Sequence, residues 1–162
     1  MQEHQGRPAR GGALYTAEQR VRRDSTIWTT VQGVLAPIQF MVFLVSLALV
    51  LRYLVTGLGY EAATLSILAK TGVLYLIMVT GAIWEKVVFG QYLLAPAFFW
   101  EDVVSFVVIA LHSFYIYALL APGFSPEAQM VIALLAYVTY VVNAGQFLWK
   151  LRVARLQSEV PA

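Results

Sequence analysis

Four apolar segments, at about residues 27–53, 62–84, 98–120 and 127–149, constrain this 162-residue chain more than any other feature. Each holds on the order of 20–25 residues, the length that crosses a hydrocarbon core about 30 Å thick at about 1.5 Å per residue. Backbone groups at that depth must find partners within their own segment, so each segment is expected to be a helix. The breaks carry turn formers: Thr56-Gly57-Leu58-Gly59, then Phe89-Gly90 through Pro96, then Ala121-Pro122-Gly123 through Pro126. Pro37 falls inside the first segment and is expected to kink it. Only 12% of residues are charged, against about 25% in a soluble domain, too few to cover a water-facing surface. The expected fold is all-α, an integral-membrane four-helix bundle with a short amphipathic N-terminal helix.

That short helix is read from the run after Tyr15, where Thr16 is a candidate N-cap and Gln19 follows three residues later as in a capping box. Residues 1–14 read as a disordered tail, 15–156 as a single four-span domain and 157–162 as a second tail. The polar head lacks the apolar run and small-residue cleavage site of a signal peptide, so none is expected. Four spans put both termini and the middle loop on one side. That side receives Arg7, Arg10, Arg20, Arg22, Arg23, Lys86, Lys150, Arg152 and Arg155, while the other receives Arg52. The positive-inside rule makes it cytoplasmic. The expected setting is a multi-pass position in a lipid bilayer with both termini cytoplasmic. The basic residues act as topology signals toward a lipid bilayer and no nucleic-acid partner is expected.

Polar residues at membrane depth are functional candidates. On the third span Glu101, Ser105, Val108, His112 and Tyr115 follow a four-three rhythm that lines one helix face. Thr139, Asn143, Gln146 and Lys150 repeat it on the fourth, and Gln32, Gln39 and Ser46 recur every seven residues on the first. Amides and hydroxyls in such stripes commonly hydrogen-bond between helices. His112 has three open readings: an interior structural residue, a proton shuttle, or an axial ligand to a metal held by a cofactor. Lys70 is expected to snorkel toward the outer face, and Arg52 to anchor at a helix end.

The densest chemistry brackets the middle loop. Trp84-Glu85-Lys86 closes the second span and Trp100-Glu101-Asp102 opens the third, around Phe89, Tyr92, Phe98 and Phe99. Carboxyls against apolar walls can hold a proton at neutral pH, and one protonated beside one ionised makes an acid–base pair. The alternative is helix-end chemistry, with Glu101 and Asp102 complementing the helix dipole and Glu85 paired with Lys86. Zero cysteines exclude disulfides, thiol nucleophiles and Cys-held metals. No Walker loop, GxGxxG or HExxH is present.

The segments YTAEQRVRRDSTIWT, VQGVLAPIQFMVFLVSLALVLRYL, TGAIWEKVVFGQYLLAPAFFWEDV and ALHSFY resemble the vinyl bacteriochlorophyllide hydratases of bacteriochlorophyll biosynthesis. The resemblance runs from Tyr15 to past Tyr117, and beyond about Pro122 only hydropathy and length match. It implies a lyase that adds water across the ring-A vinyl group of a chlorophyllide-type tetrapyrrole, giving a 1-hydroxyethyl group. It implies no cofactor beyond the magnesium of the substrate macrocycle, and other bacteriochlorophyll-synthesis enzymes as partners. Chemistry then assigns Glu85 with Glu101 or Asp102 as the acid–base set, with Trp84 and Trp100 flanking the ring. Lys86 or Lys150 would meet its propionate, and His112 is a candidate axial ligand to its magnesium. The competing reading is a non-catalytic pigment carrier, and a third is a small transporter subunit with Lys70 and His112 as a proton path.

Overall fold

The computed structural model describes residues 13–158. Among these are five helices and no strand: α1 (Ala17–Ser25), α2 (Ile27–Thr56), α3 (Tyr60–Phe89), α4 (Phe99–Leu120) and α5 (Pro126–Ser158). Most of the tails expected at 1–14 and 157–162 lies outside the described residues. The capping box forms as expected: Gln19 N–H donates to Thr16 Oγ1 (3.2 Å), and Thr16 N–H donates to the Gln19 side-chain oxygen (2.9 Å). α2 runs unbroken through Pro37 and stops where Gly57 takes φ 70°, a left-handed conformation that costs a glycine little. Gly90, at φ 87°, ends α3 in the same way.

The four long helices are all apolar enough to cross a membrane, but their lengths differ. α2 and α3 have 30 residues, α5 has 33 and α4 only 22. At about 1.5 Å per residue that is about 45–50 Å against about 33 Å. The sequence spans are therefore cores of longer helices, and the loop 90–98 occupies the space that the shorter α4 leaves open. α2–α3 and α4–α5 form two tightly packed antiparallel hairpins, joined less extensively where α2 meets α5 and α3 meets α4. Outward faces carry side chains such as Val45, Val79 and Val138, each more than half exposed. Such surface is unfavourable in water and suited to lipid tails.

The interior follows the expected stripes closely on α4, where Glu101, Ser105, Val108, His112 and Tyr115 are all buried. On α2, Gln39 and Ser46 are buried with Phe43, Val50 and Tyr53. Ser46 joins three helices, sharing hydrogen bonds with Ser66 on α3 (2.8 Å) and Tyr137 on α5 (2.5 Å). Gln32 Nε2 donates to Thr80 Oγ1 at 2.7 Å, stitching α2 to α3. These amide and hydroxyl contacts are the interhelical kind that membrane bundles use. Thr139 leaves the α5 stripe: its hydroxyl bonds back to Ala136 O at 2.8 Å, and Tyr140 takes the inward position.

A second, smaller cluster closes the end of the bundle that carries α1. Tyr15 is buried there with Val88 and Phe98, stacking on Phe89 at 5.8 Å between centroids. Burial pushes the Tyr15 phenol above its usual range, while the Arg23 guanidinium, 4.7 Å from its ring centroid, pulls the other way. Leu14 N–H donates to the Gln157 side-chain oxygen at 2.8 Å, so the described chain is tied end to end across this cluster.

Candidate functional site

The three carboxylates that bracket the middle loop all turn inward: Glu85 is 5% exposed, Glu101 5% and Asp102 3%. Glu85 comes from the last turn but one of α3, and Glu101 and Asp102 from the first turn of α4. The loop between them folds back over the bundle end. Its consecutive amides clamp two of the carboxyls: Leu94 N–H donates to Asp102 Oδ2 at 2.6 Å, and Ala95 N–H to Glu85 Oε2 at 3.2 Å. Presenting both amides inward puts Leu94 at φ 60°, the one non-glycine residue with positive φ among those described. That conformation costs about 1–2 kcal/mol, offset by a hydrogen bond to a charged acceptor worth about 1.5–3 kcal/mol.

The Glu85 and Asp102 side chains also lie close enough to interact directly, both buried at the same end of the bundle. Two buried carboxyls this close disfavour double ionisation, which gives the pair the chemistry of a proton-holding unit. Glu101 turns elsewhere. Its Oε2 lies 3.5 Å from Lys150 Nζ, and Lys150 also donates to Ala97 O in the loop. The backbone carbonyl of Glu101 accepts from Asn143 Nδ2 (2.9 Å) and Ser105 Oγ (2.8 Å), so α5 fixes the start of α4. The predicted α4 and α5 stripes thus meet at the site.

The remaining predicted residues divide. Trp84 is half-buried, its Nε1–H donating to Thr29 Oγ1 at 2.9 Å and its ring edge-on to Phe89 and Phe98. Trp100 is 68% exposed and packs edge-on to Phe99. The two indoles therefore do not form opposite walls of one slot in this conformation. Lys86 is exposed, donates to Gly90 O at 2.8 Å and lies 5.4 Å from the Tyr92 ring centroid. It caps α3, and it is Asp102 that Glu85 meets. His112 is fully buried far from the carboxyls along α4, its Nδ1–H donating to Val108 O at 2.7 Å.

Lys70 does not snorkel. It has no exposed surface, and its Nζ sits 3.7 Å from the Tyr140 ring centroid and 5.5 Å from that of Tyr137. The cause is helix phase: Ala63, Ile67, Lys70 and Leu74 form one buried line on α3, a spacing of three and four that faces the bundle interior. Sequence reasoning also missed the part played by Leu94 and Ala95 amides, for which only the turn-rich loop gave a signal, and gave Lys150 no carboxylate partner.

Two grooves open elsewhere. One of about 290 Å³ lies on the membrane-facing side between α2 and α3, lined by Met41, Val42, Val45, Ser66 and Ala69. The other, of about 260 Å³, is lined by Tyr60, Glu61, Thr64 and Leu65 at the opposite end of the bundle. Neither reaches the carboxyls, which the 90–98 loop covers.

A small all-helical bundle of membrane-spanning type, with a proton-holding carboxyl pair sealed under a loop, has the equipment of an acid–base membrane protein. The comparisons with known proteins give the particular case. A family model described as 2-vinyl bacteriochlorophyllide hydratase matches residues 15–153. The chain is 71% identical over 146 residues to the 2-vinyl bacteriochlorophyllide hydratase of Cereibacter sphaeroides, covering 90% of this chain and 91% of that protein. It is 70% identical over 146 residues to the protein of that name from Rhodobacter capsulatus, covering 90% and 85%. No solved structure matches. The chain belongs to the 2-vinyl bacteriochlorophyllide hydratase family, and the match extends through the fourth span, past the point where the resemblance read from sequence ends.

Proposed function

We propose that this chain is a hydro-lyase that adds water across the ring-A vinyl group of a chlorophyllide-type tetrapyrrole. The observation that carries the site is the Glu85–Asp102 carboxyl pair, buried and clamped by successive loop amides in a member of this family. An acid-catalysed hydration needs a proton donor, a placed water with a base, and stabilisation of a cation between them. The proton held by Glu85 and Asp102 passes to the terminal vinyl carbon. The cation forms on the carbon attached to the macrocycle and delocalises into its π-system. Water attacks that carbon and returns a proton to the carboxylate, so one water is consumed and the pair regains its starting state. Glu101 supplies negative charge beside the cation with Lys150 behind it, and the faces of Trp84 and Phe98 add attraction for positive charge.

The scheme uses no separate cofactor; magnesium enters only as part of the substrate. Lys86, exposed at the rim, is placed to meet a propionate, and Trp100 to rest in the membrane interface. Substrate reaches the carboxyls when the 90–98 loop lifts. For His112, a ring with no exposed surface favours an interior role over axial ligation of a macrocycle. The α1 end, with Arg20, Arg22, Arg23, Lys86, Lys150, Arg152 and Arg155 against Arg52 at the other, faces the cytoplasm of a photosynthetic bacterial membrane. Neighbouring enzymes of bacteriochlorophyll synthesis are the natural suppliers of its substrate.

The test is incubation of membranes carrying this protein with a 3-vinyl chlorophyllide, read by mass spectrometry. The expected product is heavier by one water. A folded protein that binds pigment without the mass gain would make it a carrier and overturn the reading.

A further inference from the structure

The 90–98 loop is held over the carboxyl site by contacts unlike those of the bundle beneath it. Gln91, Tyr92, Leu94 and Pro96 are exposed and Ala95 is buried, so little apolar burial fixes the middle of the loop. Three hydrogen bonds tie it down, and each ends on an acid of the site or on the cation beside one. Leu94 N–H donates to Asp102 Oδ2 at 2.6 Å and Ala95 N–H to Glu85 Oε2 at 3.2 Å. Ala97 O accepts from Lys150, whose Nζ also lies 3.5 Å from Glu101 Oε2. Against these bonds stands the left-handed backbone of Leu94 at φ 60°, a strain relieved when the loop lifts. Both ends suit a hinged segment: Gly90 is left-handed at φ 87°, and Phe98 is anchored beside Tyr15 and Val88.

An N–H bond to an ionised carboxylate is roughly twice as strong as one to a neutral acceptor. The hold on the loop therefore depends on how many protons the two carboxyls carry. We propose that the 90–98 loop is a lid whose closure is set by the charge on Glu85 and Asp102, tightening when both are ionised and loosening when both are protonated. The other charged or titratable groups at this end do not accept from the Leu94 or Ala95 amides. Glu101 of α4 faces Lys150 of α5, Lys86 of α3 turns to Gly90 O, and Arg152 and Arg155 of α5 are exposed. Ahead of and on α1, Tyr15 stacks on Phe89 and Arg23 pairs with Asp24, while α2 carries no ionisable side chain before Arg52 at its far end.

The part this lid plays in turnover rests on the hydration proposed above. When the pair gives its proton to the vinyl carbon, both carboxyls are ionised and the loop amides face two anions. The lid then closes hardest while the cation exists, which keeps bulk water away from it, and the same amides stabilise the charge left behind. When the attacking water returns a proton, the pair falls back to one charge and the lid eases for product release.

Hydrogen exchange at the Leu94 and Ala95 amides, followed by NMR of the full chain in lipid nanodiscs without pigment, tests the lid. Protection, corrected for the intrinsic pH dependence of exchange, should rise at least about tenfold from about pH 5 to about pH 9, a range that brackets buried carboxyls. The Val108 amide inside α4 should not follow. In the double variant Glu85→Gln/Asp102→Asn the side-chain oxygens still accept but do not titrate, so the two loop amides should lose their pH dependence. Flat protection in the wild type overturns the proposal. So does a rise that survives in the double variant, or one that Val108 shares, which would report the stability of the whole bundle. Should the double variant fail to fold, the wild-type comparison of the loop with Val108 decides the matter. The mass-shift assay fails separately: a mass gain with flat protection removes the lid and keeps the enzyme, and a pH-dependent lid without mass gain keeps the lid and removes the enzyme.

Discussion

Asp102 separates the proton chemistry of this site from its architecture. In Asp102→Asn the amide oxygen still accepts from Leu94 N–H, and the NH2 group donates to Glu85. The loop keeps its anchor, and the stability change should stay within about 1 kcal/mol. The shared proton is lost, because an amide cannot exchange it, and turnover should fall at least about a hundredfold, the ordinary weight of a positioned acid or base. Asp102→Ala differs. It deletes the 2.6 Å bond from Leu94, worth about 1.5–3 kcal/mol, which holds Leu94 at φ 60°. The backbone strain of about 1–2 kcal/mol then has nothing to oppose it, so the loop should release. Each 1.4 kcal/mol is tenfold in population, and limited proteolysis within 90–98 should therefore rise about tenfold to a hundredfold in the Ala variant alone. The mass-shift assay gives turnover, and thermal unfolding in detergent gives stability. An Asn variant that turns over like wild type would refute the proton-holding role; an Ala variant with an unreleased loop would refute the clamp.

Lys150→Met leaves Glu101 buried without its cation, which should destabilise the bundle by about 3 kcal/mol, seen as a lower unfolding midpoint that Lys150→Arg largely restores. Tyr15→Ala removes two ring contacts worth about 0.5–1.5 kcal/mol each, so hydrogen exchange in α1 should quicken while that of the α4–α5 hairpin holds. Ser46→Ala strands the Tyr137 hydroxyl and should lower stability by about 1–3 kcal/mol, more than Thr139→Ala, whose hydroxyl bonds only within its own helix.

Helix number, the inward face of α4 and the concentration of carboxylates at one end were legible because each depends on local rules. Hydropathy marks a span, and a three-four spacing puts Glu101, Ser105 and His112 on one face whatever that face meets. Partner choice was less legible. Glu85 sits beside Lys86 in sequence, yet adjacent helical residues point about 100° apart, and the loop path delivers Asp102 instead. Charge alone makes Lys70 read as a snorkelling cation, whereas its three-four spacing from Ile67 and Leu74 directs it inward. The left-handed Leu94 had no sequence signal, since leucine adopts that conformation only when surrounding contacts impose it.

The bond from Leu14 to Gln157 makes the fold nearly a ring. A circularly permuted protein, its old ends fused by a short linker and its new ones cut at the exposed Gly123 turn between α4 and α5, would retain every helix contact described. It would also carry its fusion tags on the opposite face of the bilayer, away from the carboxyl site.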